Sequence, residues 1–418
     1  MNVEEPQRLR WQLAMIPLFM AVGNPGLLVT LVALAQGSSV AELGVISASG
    51  SVANFVFSLV WGRLSDESWS RRRYLILLSL LMVPLFIALS LSVGVPQLTT
   101  FYALLIAVGS GVSPIAVMYT VDSCMGKNWQ TMVSRLNSIM SVGNIIGLLT
   151  YTFAANYYPT HILFYISAVV SIVASLIIWR FGTEPYISLE RQPFSARLLH
   201  SVESFLSPKP ILHHLDLRRI KVPRDLSSLK PLQLLLLASF VHWLGISVYV
   251  VGQTPMMKQL SLTNSEILAI NVVNGVCAAS SFAWIAPRVS NDYKKLLSRL
   301  ISARALLVLG WATFPYLSAY PISYSFVLPL LFSSAINVFY AMMWLPITNF
   351  AISHASVDRR SSVVGQLISV TGLASAVGSL VGGVIITIYG YTVGFSLAFV
   401  IILFSIPVIT KIEVFDLN

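Results

Sequence analysis

The polar residues of this sequence that could do chemistry lie inside long apolar runs. An amide or an imidazole in such a run is costly unless it faces another polar group or a water-filled cavity. Side chains that could hydrogen-bond or stack against a bound molecule are Asn24, Asn54, Asn144, His242, Asn274, Asn337 and Trp344. This amide-rich set, which lacks a carboxylate, predicts recognition of a small neutral or amphipathic organic solute.

No constellation in the sequence suits catalysis or a bound metal. Active sites need acids, histidines or cysteines at characteristic spacings, and the two cysteines, Cys124 and Cys277, are isolated from each other. No Asp or Glu lies deep in any apolar run, which argues against simple proton coupling through a carboxylate. We therefore predict that the protein is not an enzyme and that it carries no cofactor and no metal.

Three of the polar positions have competing interpretations. Asn24 lies in Gly23-Asn24-Pro25-Gly26, where Pro25 removes a backbone donor. The result is either a helix break that exposes Asn24 to substrate or a packing kink in which Asn24 bonds a neighbouring helix. His242 either contacts substrate or a coupling proton, or is a neutral, hydrogen-bonded core residue. Arg304 is expected to snorkel to the membrane surface, with binding of a substrate anion as the alternative.

The runs that carry these residues have the length and composition of membrane spans. The chain has 418 residues, of which 56% are hydrophobic and 10% charged, whereas soluble domains carry about 25% charged residues. Runs of roughly 20 apolar residues cross the bilayer as helices, because backbone groups in lipid must be bonded within the segment. We predict an all-α membrane protein with helices at 12–36, 41–61, 73–94, 98–120, 133–155, 161–180, 231–252, 265–286, 296–319, 323–349, 362–388 and 391–410.

The basic residues predict the orientation of these twelve spans. Of the 26 Lys and Arg residues, all except Lys258 lie in loops or near helix ends on one side of the membrane. Because positively charged loops stay in the cytoplasm, both termini are predicted to be cytoplasmic and the protein to lie in the plasma membrane. The predicted units are a tail at 1–11, a half at 12–180, a cytoplasmic linker at 181–230, a half at 231–410 and a tail at 411–418.

The segment Trp61–Arg73, between the second and third predicted helices, carries a recognisable pattern. Gly62, Leu64 and Asp66 match G-x-L-x-D-R-x-G-R-R in place, while the arginines arrive about one residue late and the second glycine is absent. Together with the twelve spans, this segment resembles the cytoplasmic loop signature of the major facilitator superfamily. The resemblance implies two pseudo-symmetric six-helix halves, with helices 1, 4, 7 and 10 lining a central cavity and helices 3, 6, 9 and 12 outside it.

Residues near this signature are predicted to form a conformational gate. Arg360 follows Arg135 by 225 residues, the same spacing that relates Gly62–Asp66 to Pro287–Asn291, which indicates an internal repeat. In the superfamily the signature Asp faces the N-terminus of helix 11, a site of partial positive charge. We predict that the gate closes the cytoplasmic side and opens during transport, and that it consists of Gly62, Asp66, Arg71, Arg72, Arg135 and Arg360.

The sequence thus predicts a secondary active or facilitative transporter that works by alternating access. One alternative is a proton-coupled multidrug or metabolite exporter, although such antiporters carry Gly-Pro in helix 5 and Leu148 follows Gly147 here. A second alternative is a substrate-sensing receptor on the same scaffold that moves no solute. The predicted partners are a small-molecule substrate and the lipid bilayer, with a coupling proton left open. We predict no nucleic-acid partner and a monomeric protein.

Overall fold

The structure is a computed structural model that describes residues 10–67, 70–123, 129–182, 231–285, 293–319, 322–353 and 360–411. Regular structure in these ranges is α-helical, with short 3-10 segments at Arg10–Ala14, Thr160–Ile162 and Phe314–Ala319. Most of the predicted linker, 183–230, lies outside the described residues, as do most of the two predicted tails.

The helices follow the predicted order. Their bounds are α1 at Met15–Val22 and Pro25–Ala35, α2 at Val40–Glu67, α3 at Arg71–Leu91, α4 at Val95–Gly109 and Val112–Ser123, α5 at Trp129–Ala154, α6 at Leu163–Phe181, α7 at Pro231–Gln259, α8 at Asn264–Ile285, α9 at Tyr293–Trp311 and α10 at Ile322–Ser353, while α11 and α12 are the two arms of Arg360–Thr410. The first and fourth spans are each interrupted once.

The segment Arg360–Thr410 contains two helices that meet at Gly390. Gly390 has φ 83° and ψ 170°, which a residue without a Cβ adopts freely. The apolar stretch Gly365–Thr410 has 46 residues; a straight helix of that length would extend roughly 70 Å, against about 30 Å of hydrocarbon. Eleven apolar segments long enough to span a membrane occur in the described ranges. Dividing the last at Gly390 gives the twelve predicted spans.

Each outer helix has one face that packs against the protein and another that is suited to lipid, as α6 shows. In α6, Ser167, Ser171 and Ser175 are buried at helical spacing, whereas Val169 and Leu176 are exposed. The serine hydroxyls cost little in this setting because Ser171 donates to the Ser167 carbonyl one turn earlier. Small buried residues allow close helix packing within a membrane, and the exposed apolar residues match the hydrocarbon around them.

The spans form two six-helix bundles. In the first, α1 packs on α5 and α6, α2 on α4, and α3 on α6; in the second, α7 packs on the α11–α12 segment, and α8 and α9 pack on α10. The two bundles meet mainly where α2 contacts α11 and where α5 contacts α8. A cavity enclosed between these two contact lines is therefore walled by both halves.

Two ends of the molecule are distinguished below. The signature end is where α2 ends and α3 begins, and the far end is where α1 ends and α2 begins. At the signature end Arg71 is buried, Arg135 is exposed, and Arg72 donates through Nη2 to the carbonyl of Trp179 in α6 of the same half. The side chains of Asp66 and Arg360, like Gly62, lie outside the described set. The gate stays a prediction.

Candidate functional site

A cavity of about 350 Å³ lies between the two halves, at the middle of the spans. Helices α1 and α5 form its wall on one side, and α7, α8, α9 and α10 form the other. Its polar lining residues are Asn24, Ser141, Asn144, Tyr249, Gln253, Asn271, Asn274, Arg304 and Asn337. Four of the predicted binding residues, Asn24, Asn144, Asn274 and Asn337, thus share one cavity, and their role in substrate binding stays a prediction.

The first-half wall is built around the interruption of α1. Asn24 has φ −138° and ψ 37°, outside the helical region, and it precedes Pro25, the first residue of the second helical piece. The Asn24 side-chain amide donates to Asn144 Oδ1 of α5. Both interpretations of Asn24 therefore apply, since it bonds a neighbouring helix and also lines the cavity.

The second-half wall presents further carboxamides that are held by bonds to α8 and α10. Asn274 Oδ1 lies 3.1 Å from the hydroxyl of Ser333 and 3.0 Å from that of Ser334. Asn271 donates to the Ile267 carbonyl and Asn337 to the Ser333 carbonyl. These bonds leave amide hydrogens on Asn274 and carbonyl oxygens on Asn271 and Asn337 available to a solute.

Arg304 lies in the wall of the cavity, and the expectation that it would snorkel to the surface was wrong. Its side chain is 4% exposed, and Nη1 lies 2.8 Å from Nε2 of His242 in α7. The guanidinium carbon is 5.4 Å from the centre of the Tyr340 ring, a cation–π distance. Snorkelling fails because Arg304 lies 11 residues after Tyr293, where α9 begins, which is roughly 17 Å along the helix, and because polar and aromatic partners surround it there.

Three predicted binding residues do not line this cavity in the part of the chain that the structure describes. His242 stands behind Arg304 and is 2% exposed. Trp344 lies about two turns past Asn337 and packs edge-on against Trp243 at 6.0 Å between ring centres. Asn54 lies on α2, which packs against α4 and α11 rather than along the cavity wall.

The far end of the cavity is closed by contacts between the halves. The backbone N–H of Ala41 donates to Thr387 Oγ1 at 2.9 Å, which joins α2 to α11. On the other side of the cavity, Asn264 donates to Thr160 Oγ1 at 2.7 Å and the Ser265 hydroxyl donates to the Thr152 carbonyl at 3.0 Å. These bonds hold α8 against the end of α5 and the start of α6.

Helices α2 and α11 diverge toward the signature end. A Cβ on Gly383 would lie 3.0 Å from the Cα of Gly44, so α2 and α11 touch backbone to backbone near the far end. Closer to the signature end, a Cβ on Gly372 would meet Phe55 at 3.6 Å, and one on Gly365 would meet nothing within 4 Å. The two halves therefore separate along this contact line in the direction of the signature end.

Sequence comparison identifies the family to which this architecture belongs. The chain matches the Major Facilitator Superfamily over residues 13–378. The protein is a member of the Major Facilitator Superfamily. Comparison with curated protein sequences finds no match.

Solved structures of superfamily transporters share the fold along the whole chain. A single-residue mutant of the nucleoside transporter NupG has a TM-score of 0.73 at 15% identity, covering 97% of this chain and 98% of that one. A D-xylose-proton symporter has a TM-score of 0.73 at 13% identity, covering 99% and 98%. The human organic anion transporter MFSD10 (TETRAN) has a TM-score of 0.62 at 19% identity, covering 97% and 99%. At these identities the likeness establishes the fold alone.

The cavity of this superfamily member departs from the expected division of helices in two respects. No α4 residue is among the lining residues that the structure describes, although the resemblance implied that helix 4 lines the cavity. Helix 9 was expected to lie outside the cavity together with helices 3, 6 and 12. Arg304 on α9 nevertheless reaches the cavity, together with residues of α1, α7 and α10 that the resemblance did imply.

Sequence reasoning also missed Gln253 as a cavity residue. The predicted seventh helix ended at 252, whereas α7 continues to Gln259 and carries Gln253 and Lys258 on its last turns. The missed signal is the apolar Pro255-Met256-Met257 that follows Gln253, which extends the span past one polar position.

Proposed function

We propose that the protein is a secondary transporter that moves a small polar organic solute through the central cavity by alternating access. One observation carries this proposal. A polar cavity lies between two six-helix halves that touch at the far end and separate toward the signature end. This is the shape expected of one of the two states between which such a carrier rocks.

The orientation predicted from the basic residues makes this the cytoplasm-facing state. Conversion to the opposite state requires the far-end contacts to break. Three hydrogen bonds between the halves are described there, each contributing about 0.5–1.5 kcal/mol. A total of a few kcal/mol is within the range that ligand binding and thermal fluctuation can overcome. The predicted gate around Asp66 and Arg360 would then close the signature end.

The lining of the cavity supports a solute that carries both hydrogen-bond donors and acceptors. Carboxamides on α1, α5, α7, α8 and α10 offer both kinds of group, and Phe282 and Ile336 add apolar wall between them. The expectation of a neutral or amphipathic solute assumed that Arg304 left the membrane interior. Its place in the wall changes the charge that this solute can carry.

The proposal is tested by solute efflux from proteoliposomes that contain the purified protein. Vesicles are loaded with a mixture of sugars, nucleosides, amino acids and organic acids, and mass spectrometry of the external solution identifies the solutes that leave. We expect a small set of solutes to leave vesicles that contain the wild-type protein. None of them should leave vesicles without protein.

A matched pair of variants on α8 links this flux to the cavity. Ala279 lines the cavity, whereas Val276, one turn away, is 45% exposed on the outside of the bundle. Ala279→Trp should fill the cavity and stop the flux, while Val276→Trp should leave it near the wild-type rate. Equal flux in both variants, or binding of a solute without any flux in the wild-type protein, would contradict the proposal.

A further inference from the structure

Arg304 is a buried cation without an anionic partner among the residues that the structure describes. The two carboxylates whose side chains are described, Glu42 and Glu266, cap α2 and α8 at the far end through bonds to Ser39 and Thr263. No other Asp or Glu falls within the interior of a predicted span. A charged residue within a membrane is costly, and it commonly marks the path of a substrate or an ion.

The contacts of Arg304 do not satisfy its guanidinium. A guanidinium has five N–H donors and no acceptor. In the described part of the chain one of them reaches His242, the Tyr340 ring covers the face of the group, and Nε has no partner. A cation that served only to fix α9 against α7 would be expected to have its donors used. The open donors belong to a side chain that lines the cavity.

His242 holds the guanidinium in place without neutralising it. Because arginine can only donate, Nε2 of His242 must accept, and the ring proton therefore resides on Nδ1. This neutral tautomer supplies one lone pair to Arg304 and no negative charge. The pair keeps its full positive charge. His242 bonds the guanidinium on the side away from the cavity and so fixes its orientation.

Tyr249 provides a second hydrogen-bond donor without a described partner on the same wall. Its side chain is buried and lines the cavity, and its hydroxyl has no partner in the described residues. Its ring packs edge-on against Trp311 at 5.6 Å between centres, which fixes the position of the hydroxyl. Arg304 and Tyr249 thus both belong to the wall of one cavity, and the lining residues that the structure describes include no Asp or Glu.

We propose that the transported solute carries an anionic oxygen group, a carboxylate, phosphate or sulfonate, that binds Arg304 and Tyr249 while the carboxamides hold its neutral part. This inference rests on the proposed transport function and assigns the charge of its substrate. An anion would use the open guanidinium donors and offset the burial of the charge, which is the condition under which a buried ion pair is favourable.

The experiment compares matched anionic and neutral probes by the thermal unfolding of the purified protein in detergent. The probes are phenylacetate, phenyl phosphate and benzenesulfonate, each beside its uncharged counterpart phenylacetamide, phenol or benzenesulfonamide, followed by aliphatic acids and their amides. We expect anions of at least one of the three chemistries to raise the melting temperature in a concentration-dependent manner, and their neutral counterparts not to do so.

Three variants on α9 assign the effect to one charge. Arg304→Gln removes the cation in the cavity, and Arg299→Gln removes a cation from the exposed surface of the same helix. We expect Arg304→Gln to weaken binding of the active anion at least about tenfold, which is 1.4 kcal/mol, and Arg299→Gln to leave it unchanged. Arg304→Lys keeps the charge without the fork and should bind with intermediate affinity, so that loss of folding in one variant cannot mimic the result.

The outcomes separate this inference from the proposed function. Flux of an uncharged solute that persists in Arg304→Gln would overturn the inference and leave the transporter standing. A wild-type protein that no anionic probe stabilises would also overturn it. Absence of flux for every solute would instead contradict the transport function, whatever the probes do to the melting temperature.

Discussion

Two polar pairs, one in each half, contribute to the wall of the same cavity, and they differ in charge and in the hydrogen-bond donors that they leave without a partner. In the first half, Asn24 donates to Asn144, and both groups are neutral. In the second half, Arg304 donates to His242, which returns no negative charge. The amide pair stabilises the interruption of α1 against α5, whereas the arginine pair leaves donors open. Similar depth in the membrane therefore does not imply a similar role.

The packing around the two pairs differs in the same way: the amide pair is enclosed, and the arginine pair is open on one side. A Cβ on Gly23 would overlap Asn144 Oδ1, so the amide pair is fitted tightly between its helices. The arginine pair lies beside a ring cluster in which Trp243 meets Tyr340 at 5.7 Å and Phe282 meets Tyr340 at 6.1 Å. These rings support one side of the guanidinium, while its other side faces the cavity.

The largest expected effect is on the transport rate, and it distinguishes a residue that binds the solute from one that holds two helices together. In proteoliposomes, Arg304→Gln should lower kcat/KM for the transported solute by about tenfold to a hundredfold, since a bond to a charged group contributes about 1.5–3 kcal/mol. Asn144→Ala should lower it only a few-fold, because the neutral amide is replaced in part by water. Equal losses in the two variants would remove the distinction between the pairs.

A smaller effect is expected on stability from the amide pair. Gly23→Ala should lower the free energy of unfolding by about 1–3 kcal/mol, because the new methyl group overlaps the Asn144 side chain. Adding Asn144→Ala removes the overlapped atoms and should recover part of the loss. The measurement is thermal unfolding in detergent of both variants and their combination, and strictly additive losses would contradict the predicted contact.

The smallest expected effect concerns how His242 positions Arg304. His242→Gln keeps an acceptor oxygen near the guanidinium, whereas His242→Leu removes it. We expect the Leu variant to raise KM by about twofold to tenfold, which is about 0.4–1.4 kcal/mol, because His242 acts on the solute only through the position of Arg304. We expect little change in kcat, and the Gln variant should recover most of the loss. A variant pair that changes kcat alone would show that His242 does not act through binding.

Much of the fold was predictable because hydropathy and length determine membrane spans almost directly. The boundary between α11 and α12 was predicted at 388–391, and the break lies at Gly390. Four amides of the cavity were predicted because each is polar and deep in its span. Gln253 was missed because the predicted end of the seventh helix at 252 stopped one residue before it and shortened α7 by two turns.

The charged pair could not be predicted in the same way. Whether an arginine snorkels or stays depends on what faces it from other helices, and His242 precedes Arg304 by 62 residues on a different helix. The sequence contains both residues but not their juxtaposition. For the same reason Asn54 and Trp344, which have suitable types and depth, lie against neighbouring helices rather than along the cavity.

The claim that the two halves rock about this cavity is tested most directly by linking them at the far end. Cysteines at Ala41 and Thr387, whose backbone and side chain are bonded at 2.9 Å, are introduced after Cys124 and Cys277 are replaced by serine, and are joined with a short cleavable thiol crosslinker. We predict that crosslinking stops solute efflux, that solute binding in detergent persists, and that cleavage of the link restores transport. Transport that continues at the uncrosslinked rate when the link is complete would contradict the account.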